Sequence, residues 1–89
     1  MSNITVKQER IKHLMDTATY STQSFFKKCT VVVAQLENGF VLTASSACVD
    51  PDNYDHELGI QLCRQKIEDK LWELEGYALQ KAVYEKGDK

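Results

Sequence analysis

An α+β fold, with an N-terminal helix, an antiparallel β-hairpin and a long C-terminal helix, is predicted by three features of the sequence. Apolar residues recur at helical spacing in Ile11, Leu14, Met15 and Ala18. Asn38-Gly39 stands between two β-rich runs. After Pro51, the only proline, one apolar stripe continues at helical spacing almost to the end of the chain. The 89 residues are read as a single domain, 1–89. A chain this short buries only about two-thirds of the surface it exposes when unfolded.

Thr5-Val6-Lys7-Gln8 has the form of a capping box, a hydroxyl at the N-cap and an amide three residues later. Ile11, Leu14, Met15 and Ala18 then share one helical face, while Arg10, Lys12, His13 and Asp16 take the others. The pattern fades over residues 17–22, where Thr and Ser favour turn or extended structure. The first helix is therefore placed at about residues 5–18.

Asn-Gly is the preferred pair for a type I′ turn, because both central residues need positive φ. The flanking runs, residues 29–36 and 40–49, place a hairpin at about residues 28–49. A two-residue loop fixes the register, setting Val33 opposite Ala44, Val31 opposite Ser46 and Cys29 opposite Cys48. One face then carries Val31, Val33, Phe40, Leu42 and Ala44. The other carries Val32, Ala34, Leu36, Val41 and Val49, with Thr30, Thr43 and Ser45. A two-stranded ribbon is marginal in water. One face is expected to pack on the helices, and the other face or the strand edges to need a partner. A second copy is the simplest one, so a homo-oligomer is expected.

Pro51 suits a turn, and Asp52 or Asn53 suits the cap of the helix that follows, with Asp55 and Glu57 complementing its dipole. Ile60, Cys63, Ile67, Leu71, Leu74 and Ala78 advance by 3, 4, 4, 3 and 4 residues. This helix is placed at about residues 54–84. Gly59 and Gly76 lie inside it, each costing about 1 kcal/mol relative to Ala. Gly59 is expected to let the helix approach the sheet closely, Gly76 to mark a bend, and residues 85–89 to fray.

Eleven basic against thirteen acidic residues, a net charge of −2, leave no excess to drive binding to bulk nucleic acid or an acidic membrane. No apolar run is long enough to span a bilayer, and residues 1–10 lack the core of a signal peptide, so no membrane partner is expected. Three cysteines, an odd number with no C-x-x-C pair, point to a reducing compartment. In the expected register Cys29 and Cys48 take a hydrogen-bonded position, too far apart for a good disulfide, and are read as packing residues.

No catalytic, metal or cofactor site is expected. Cys29, Cys48, Cys63, His13 and His56 lack ligand spacing. A calcium loop starting at Asp50 would have Asp55 where glycine is needed and Gln61 where glutamate is needed. Ser45 and Ser46 lie in a strand without a nucleophile elbow, and the glycines are too scattered for a phosphate loop. Phe25-Phe26-Lys27-Lys28 mixes aromatic and basic residues. The preferred reading is that the phenylalanines begin the core and the lysines guard a strand start. For a small anionic ligand, the candidate cations are Lys27, Lys28, Arg64 and Lys66, with Tyr54, Phe40 and Trp72 as stacking faces.

Three blocks carry a family resemblance. They are Thr30-Val31 through Leu36-Glu37-Asn38-Gly39-Phe40, then Ser45-Ser46-Ala47-Cys48-Val49-Asp50-Pro51-Asp52-Asn53-Tyr54-Asp55-His56-Glu57-Leu58-Gly59, then Lys70-Leu71-Trp72-Glu73-Leu74-Glu75-Gly76-Tyr77-Ala78-Leu79. Together, over about residues 29–79, they resemble the gene-product-49-like family of small tailed-phage proteins. That family is in turn similar to phage sponges that sequester nucleotide immune signals. The resemblance implies an accessory phage protein acting in the host cytoplasm, with no catalytic residue or cofactor to carry over. The matching residues are largely explained by folding, with Asn38 and Gly39 expected in the turn, residues 50–53 in the cap, and Trp72 and Tyr77 in packing. Residues 7–28, the least typical part, are left as a target-binding surface. The leading expectation is an inhibitor that binds a host defence protein or complex stoichiometrically, in the manner of an anti-CRISPR. The alternatives are a sponge holding a small nucleotide between subunits near Lys27 and Lys28, and a structural or regulatory subunit of a phage assembly.

Overall fold

The computed structural model describes residues 4–87. Helix α1 (Gln8–Thr17) leads into three strands, β1 (Thr19–Phe25), β2 (Cys29–Gln35) and β3 (Val41–Ala47). A 3-10 turn (Pro51–Asn53) then leads to α2 (His56–Glu85). The strands form one antiparallel sheet in the order β1-β2-β3. The fold is α+β, as expected, but the sheet has three strands rather than two.

The unexpected strand is β1. Its sequence, TYSTQSF, has no apolar alternation, and only Tyr20 is drawn partly inside. What makes it a strand is the backbone ladder of β2, which it pairs without a break from Thr19↔Gln35 to Phe25↔Cys29. Phe26 (φ 58°) and Lys27 (φ 54°) make the connecting turn, both in the left-handed region that a type I′ turn demands. For L-residues that region costs roughly 1–2 kcal/mol each. Phe26 sits at the tip, 88% exposed, and Phe25 is also exposed, so neither begins the core.

At the second connection the expected type I′ turn is replaced. Only Gly39 has positive φ (95°), and Glu37-Asn38-Gly39 form a three-residue loop. Leu36 N–H donates to Phe40 O at 2.8 Å, Gly39 N–H donates to Leu36 O at 2.8 Å, and Asn38 Oδ1 accepts from Phe40 N–H at 3.0 Å. The extra loop residue shifts the register by one. Val33 faces Thr43, Val31 faces Ser45 and Cys29 faces Ala47. A slip of one residue moves every β3 side chain to the other face. Leu42 and Ala44 therefore join Thr30, Val32, Ala34 and Leu36 on the inner face. The outer face holds Val31, Val33, Val41, Thr43 and Ser45, and is more polar than two apolar faces would be.

α1 begins at Gln8, with Lys7 at its N-cap and no side-chain cap bond, so Thr5 lies outside the helix. It buries Ile11, Leu14 and Met15. Asp50 Oδ1 caps the 3-10 turn by accepting from Asp52 N–H at 3.0 Å, and Asp55 Oδ1 caps α2 by accepting from Leu58 N–H at 3.1 Å. Asp52 and Asn53 thus belong to the turn and not to the cap of α2. The helix lies across β2 and β3, beside α1, and buries Cys63, Ile67 and Leu71 in the common core.

Thirty residues make α2 about 45 Å long, about twice the reach of a seven-residue strand. Its far end passes the sheet and gives the molecule a 55 Å long axis. The apolar stripe follows it out: Leu74 is exposed, Tyr77 is 69% exposed and Trp72 is 37% exposed, so the last two are not core residues. The helix is continuous through Gly76 and ends at Glu85, with Gly87 at φ 80°; residues 88–89 lie outside the described residues.

The two helical glycines have opposite surroundings. A Cβ at Gly59 would lie 2.5 Å from Thr30 Oγ1 and 2.9 Å from Thr30 Cβ, whereas one at Gly76 would meet nothing within 4 Å. Gly76→Ala is expected to stabilise the chain by about 1 kcal/mol. Gly59→Ala forces two packed elements apart, and overpacking of roughly 1–3 kcal/mol outweighs its helix gain. Urea melts of the two variants should move in opposite directions.

Candidate functional site

Polar chemistry collects where α2 starts against the sheet. Thr30, the first inward residue of β2, is completely buried. Tyr54 follows the 3-10 turn and His56 opens α2, which brings both side chains over Thr30. The Tyr54 hydroxyl lies 2.7 Å from Thr30 Oγ1, 2.9 Å from Ser24 Oγ and 2.9 Å from His56 Nδ1. Its single proton goes to Ser24, and the inventory closes when Thr30 and His56 Nδ1–H both donate to the phenol oxygen.

Beside this cluster is a cavity of about 120 Å³, lined by Lys28, Ser46, Cys48, Tyr54, Asp55 and Gly59 among others. Thr30 Oγ1 and His56 Nδ1 are also 3.3 Å apart, but an Nδ1 that donates to the phenol oxygen has no lone pair to act as a base toward the hydroxyl. The hydroxyl faces no solvent, and the Asp55 carboxylate already holds Leu58 N–H. The arrangement joins three elements: Ser24 from β1, Thr30 from β2 and the entry to α2.

The candidate cations are dispersed. Lys27 is exposed in the left-handed turn. Lys28 is half-buried in a bulge, its N–H donating to Phe25 O at 3.0 Å and its carbonyl accepting from Cys48 N–H at 2.8 Å. Lys28 and Tyr54 do line the same cavity. Arg64 instead stands over the Tyr20 ring, 4.2 Å from its centre, while the Tyr20 hydroxyl donates to Met15 O at 2.7 Å. Lys66 donates to Ser45 O at 2.6 Å. Phe40 lines a different cavity, with Leu36 and Leu71, and Trp72 is exposed on α2.

Sequence reasoning missed three residues that organise these contacts, Thr30, Tyr20 and Lys70, and weighed His56 only as a ligand or catalytic group. Lys70 donates to Thr43 O at 2.7 Å, one helical turn along from Lys66. Their i,i+4 spacing was the one local sign of a shared task. The three cysteines are free thiols, and Cys63, buried in the core, donates to Thr30 O at 3.6 Å. Among the described residues no group of His, Cys, Asp and Glu could hold a metal ion, and no helix is long and apolar enough to cross a membrane.

The outer face of the sheet is uncovered. It holds Thr19, Ser21, Gln23 and Phe25 from β1, Cys29, Val31, Val33 and Gln35 from β2, and Val41, Thr43, Ser45 and Ala47 from β3. None carries a charge, in a chain that is 27% charged, and neither helix covers them.

A family model described as Phage protein (N4 Gp49/phage Sf6 gene 66) family matches residues 5–83. The chain belongs to this family. The match takes in α1 and β1 as well as the later blocks, so it reaches further along the chain than the three blocks that carry the resemblance. No curated protein and no solved structure matches the chain.

Burial pushes the Tyr20 phenol above its ordinary 10.0, against the pull of Arg64, and the Cys63 thiol above its ordinary 9.0, against the pull of Lys66. At high pH the unfolded chain therefore loses these protons before the folded chain does. The folded state then binds more protons, and stability falls as pH rises, from about 9.0 for Cys63 and about 10.0 for Tyr20. Thermal melts should show Tm declining on that alkaline side. Tyr20→Phe should flatten the later part of the decline.

Proposed function

We propose that this member of the family is a non-catalytic accessory protein that acts in the host cytoplasm. It inhibits an antiviral defence system by binding a defence protein or complex stoichiometrically, through the outer face of its sheet. The observation that carries the reading is the absence of charge across that face. Depletion of charged residues marks the centre of protein interfaces, and an uncovered sheet face with half-buried valines gains most from a protein surface laid against it. The cavity at Lys28 and Tyr54 is about 120 Å³, and the larger open hollows beside Arg64 (about 370 Å³) and Lys66 (about 710 Å³) have their cations held by the Tyr20 ring and by Ser45 O. The engaged cations favour a protein target over a nucleotide.

The test uses host strains that each carry one defence system. Expression of the chain is expected to restore plaque formation by a sensitive phage in one such strain. Val33→Lys or Thr43→Lys, at adjoining positions near the centre of the face, should abolish the rescue while leaving Tm within a few degrees of the parent. Rescue in no strain, or full rescue by both variants, would count decisively against the reading. Cyclic nucleotides are expected to leave Tm unchanged, and a rise of several degrees would support the sponge instead.

A further inference from the structure

A three-stranded sheet has two edges, and this one protects only one of them. The hydrogen bonds show which backbone groups point where. In β2, Lys28 O accepts from Cys48 N–H and Leu36 N–H donates to Phe40, so the even-numbered residues bond towards β3 and the odd-numbered ones towards β1. The free edge of β3 therefore presents Thr43 and Ser45. Lys70 and Lys66 occupy those carbonyls at 2.7 and 2.6 Å, which removes the acceptors and sets two ammonium groups in the path of any added strand.

By the same alternation, the free edge of β1 presents the N–H and C=O groups of Tyr20, Thr22 and Ser24. Among the described residues no hydrogen bond reaches those backbone groups from elsewhere in the chain. Thr22 and Ser24 are exposed, and β1 contains no charge, glycine or proline to discourage pairing.

We infer that two copies of this chain join through their β1 edges, antiparallel, with Thr22 on the two-fold axis. In that register Thr22 faces Thr22 and Tyr20 faces Ser24 of the other copy, so every free N–H on the edge finds a carbonyl. Charge disfavours the other orientation. Lys27 and Lys28 follow β1, and parallel pairing would bring these lysines of the two copies together, whereas antiparallel pairing keeps them at opposite ends. The two sheets merge into one of six strands, and the uncharged outer faces become continuous. This pairing does not depend on the host target proposed above.

The experiment is sedimentation equilibrium of the purified chain at micromolar concentration, with a charge swap on the axis. The parent is expected to sediment at twice the mass of one chain. Thr22→Lys and Thr22→Glu each set like charges face to face, and each should sediment as a monomer with its Tm nearly unchanged. Mixed in equal amounts, they should restore the dimer. Thr22→Pro should also be a folded monomer, because the N–H it removes points to solvent. A monomeric parent overturns the inference. So does a dimer that persists in both Thr22→Lys and Thr22→Glu, which would place the interface elsewhere. If the parent is monomeric and Thr22→Pro also loses rescue from host defence, the edge takes a strand of a host protein.

Discussion

The contact between Gly59 and Thr30 sets the position of everything else. Only a residue without Cβ lets the backbone of α2 come down onto a buried hydroxyl, and that approach fixes the height of the helix above β2. From there the periodicity of the helix does the rest. Cys63, Ile67 and Leu71 meet Val32, Ala34, Leu42 and Ala44 in the core, and Lys66 and Lys70 fall over the edge of β3. The hydroxyl is satisfied by Tyr54 and His56, the residues that lead into the helix, so the same threonine anchors both the packing and the cap region.

The longest element was the most legible, for a physical reason. The stripe in α2 is a local pattern, and the carboxylates before it cap locally, so the helix and its buried face follow from spacing alone. The hairpin was legible in kind but not in register. Asn38-Gly39 also suits a three-residue loop, in which only the glycine needs positive φ, and which loop forms depends on how Leu42 and Ala44 pack beneath α2. β1 was not legible at all. Its stability comes from pairing with β2 some ten residues later, and Thr, Ser and Gln leave no trace of that in hydropathy. Its turn breaks the usual preference as well, since Phe26 and Lys27 stand where Asn and Gly are favoured.

The site was less legible than the fold because its residues act across the chain. Choosing Arg64 and Lys66 as free cations overlooked Tyr20 and the carbonyl of Ser45, neither of which lies near them in sequence. Tyr54 was singled out for its aromatic face, but it is the hydroxyl that is used. Composition did anticipate the near-neutral balance of charge, though not how unevenly it is laid out. The charges crowd the helices and turns and leave one side of the sheet bare.

The overhang of α2 makes one helix into two thermodynamic units. Up to Glu75, which Arg10 of α1 holds at 3.2 Å, the helix is fastened to the body and can open only when the core opens. Beyond Gly76 the helix buries no residue completely, so the core holds that end less firmly. That end will fray and re-form many times for each global unfolding, so its amide protons will exchange by local opening while those beneath Cys63 and Ile67 wait for the whole chain.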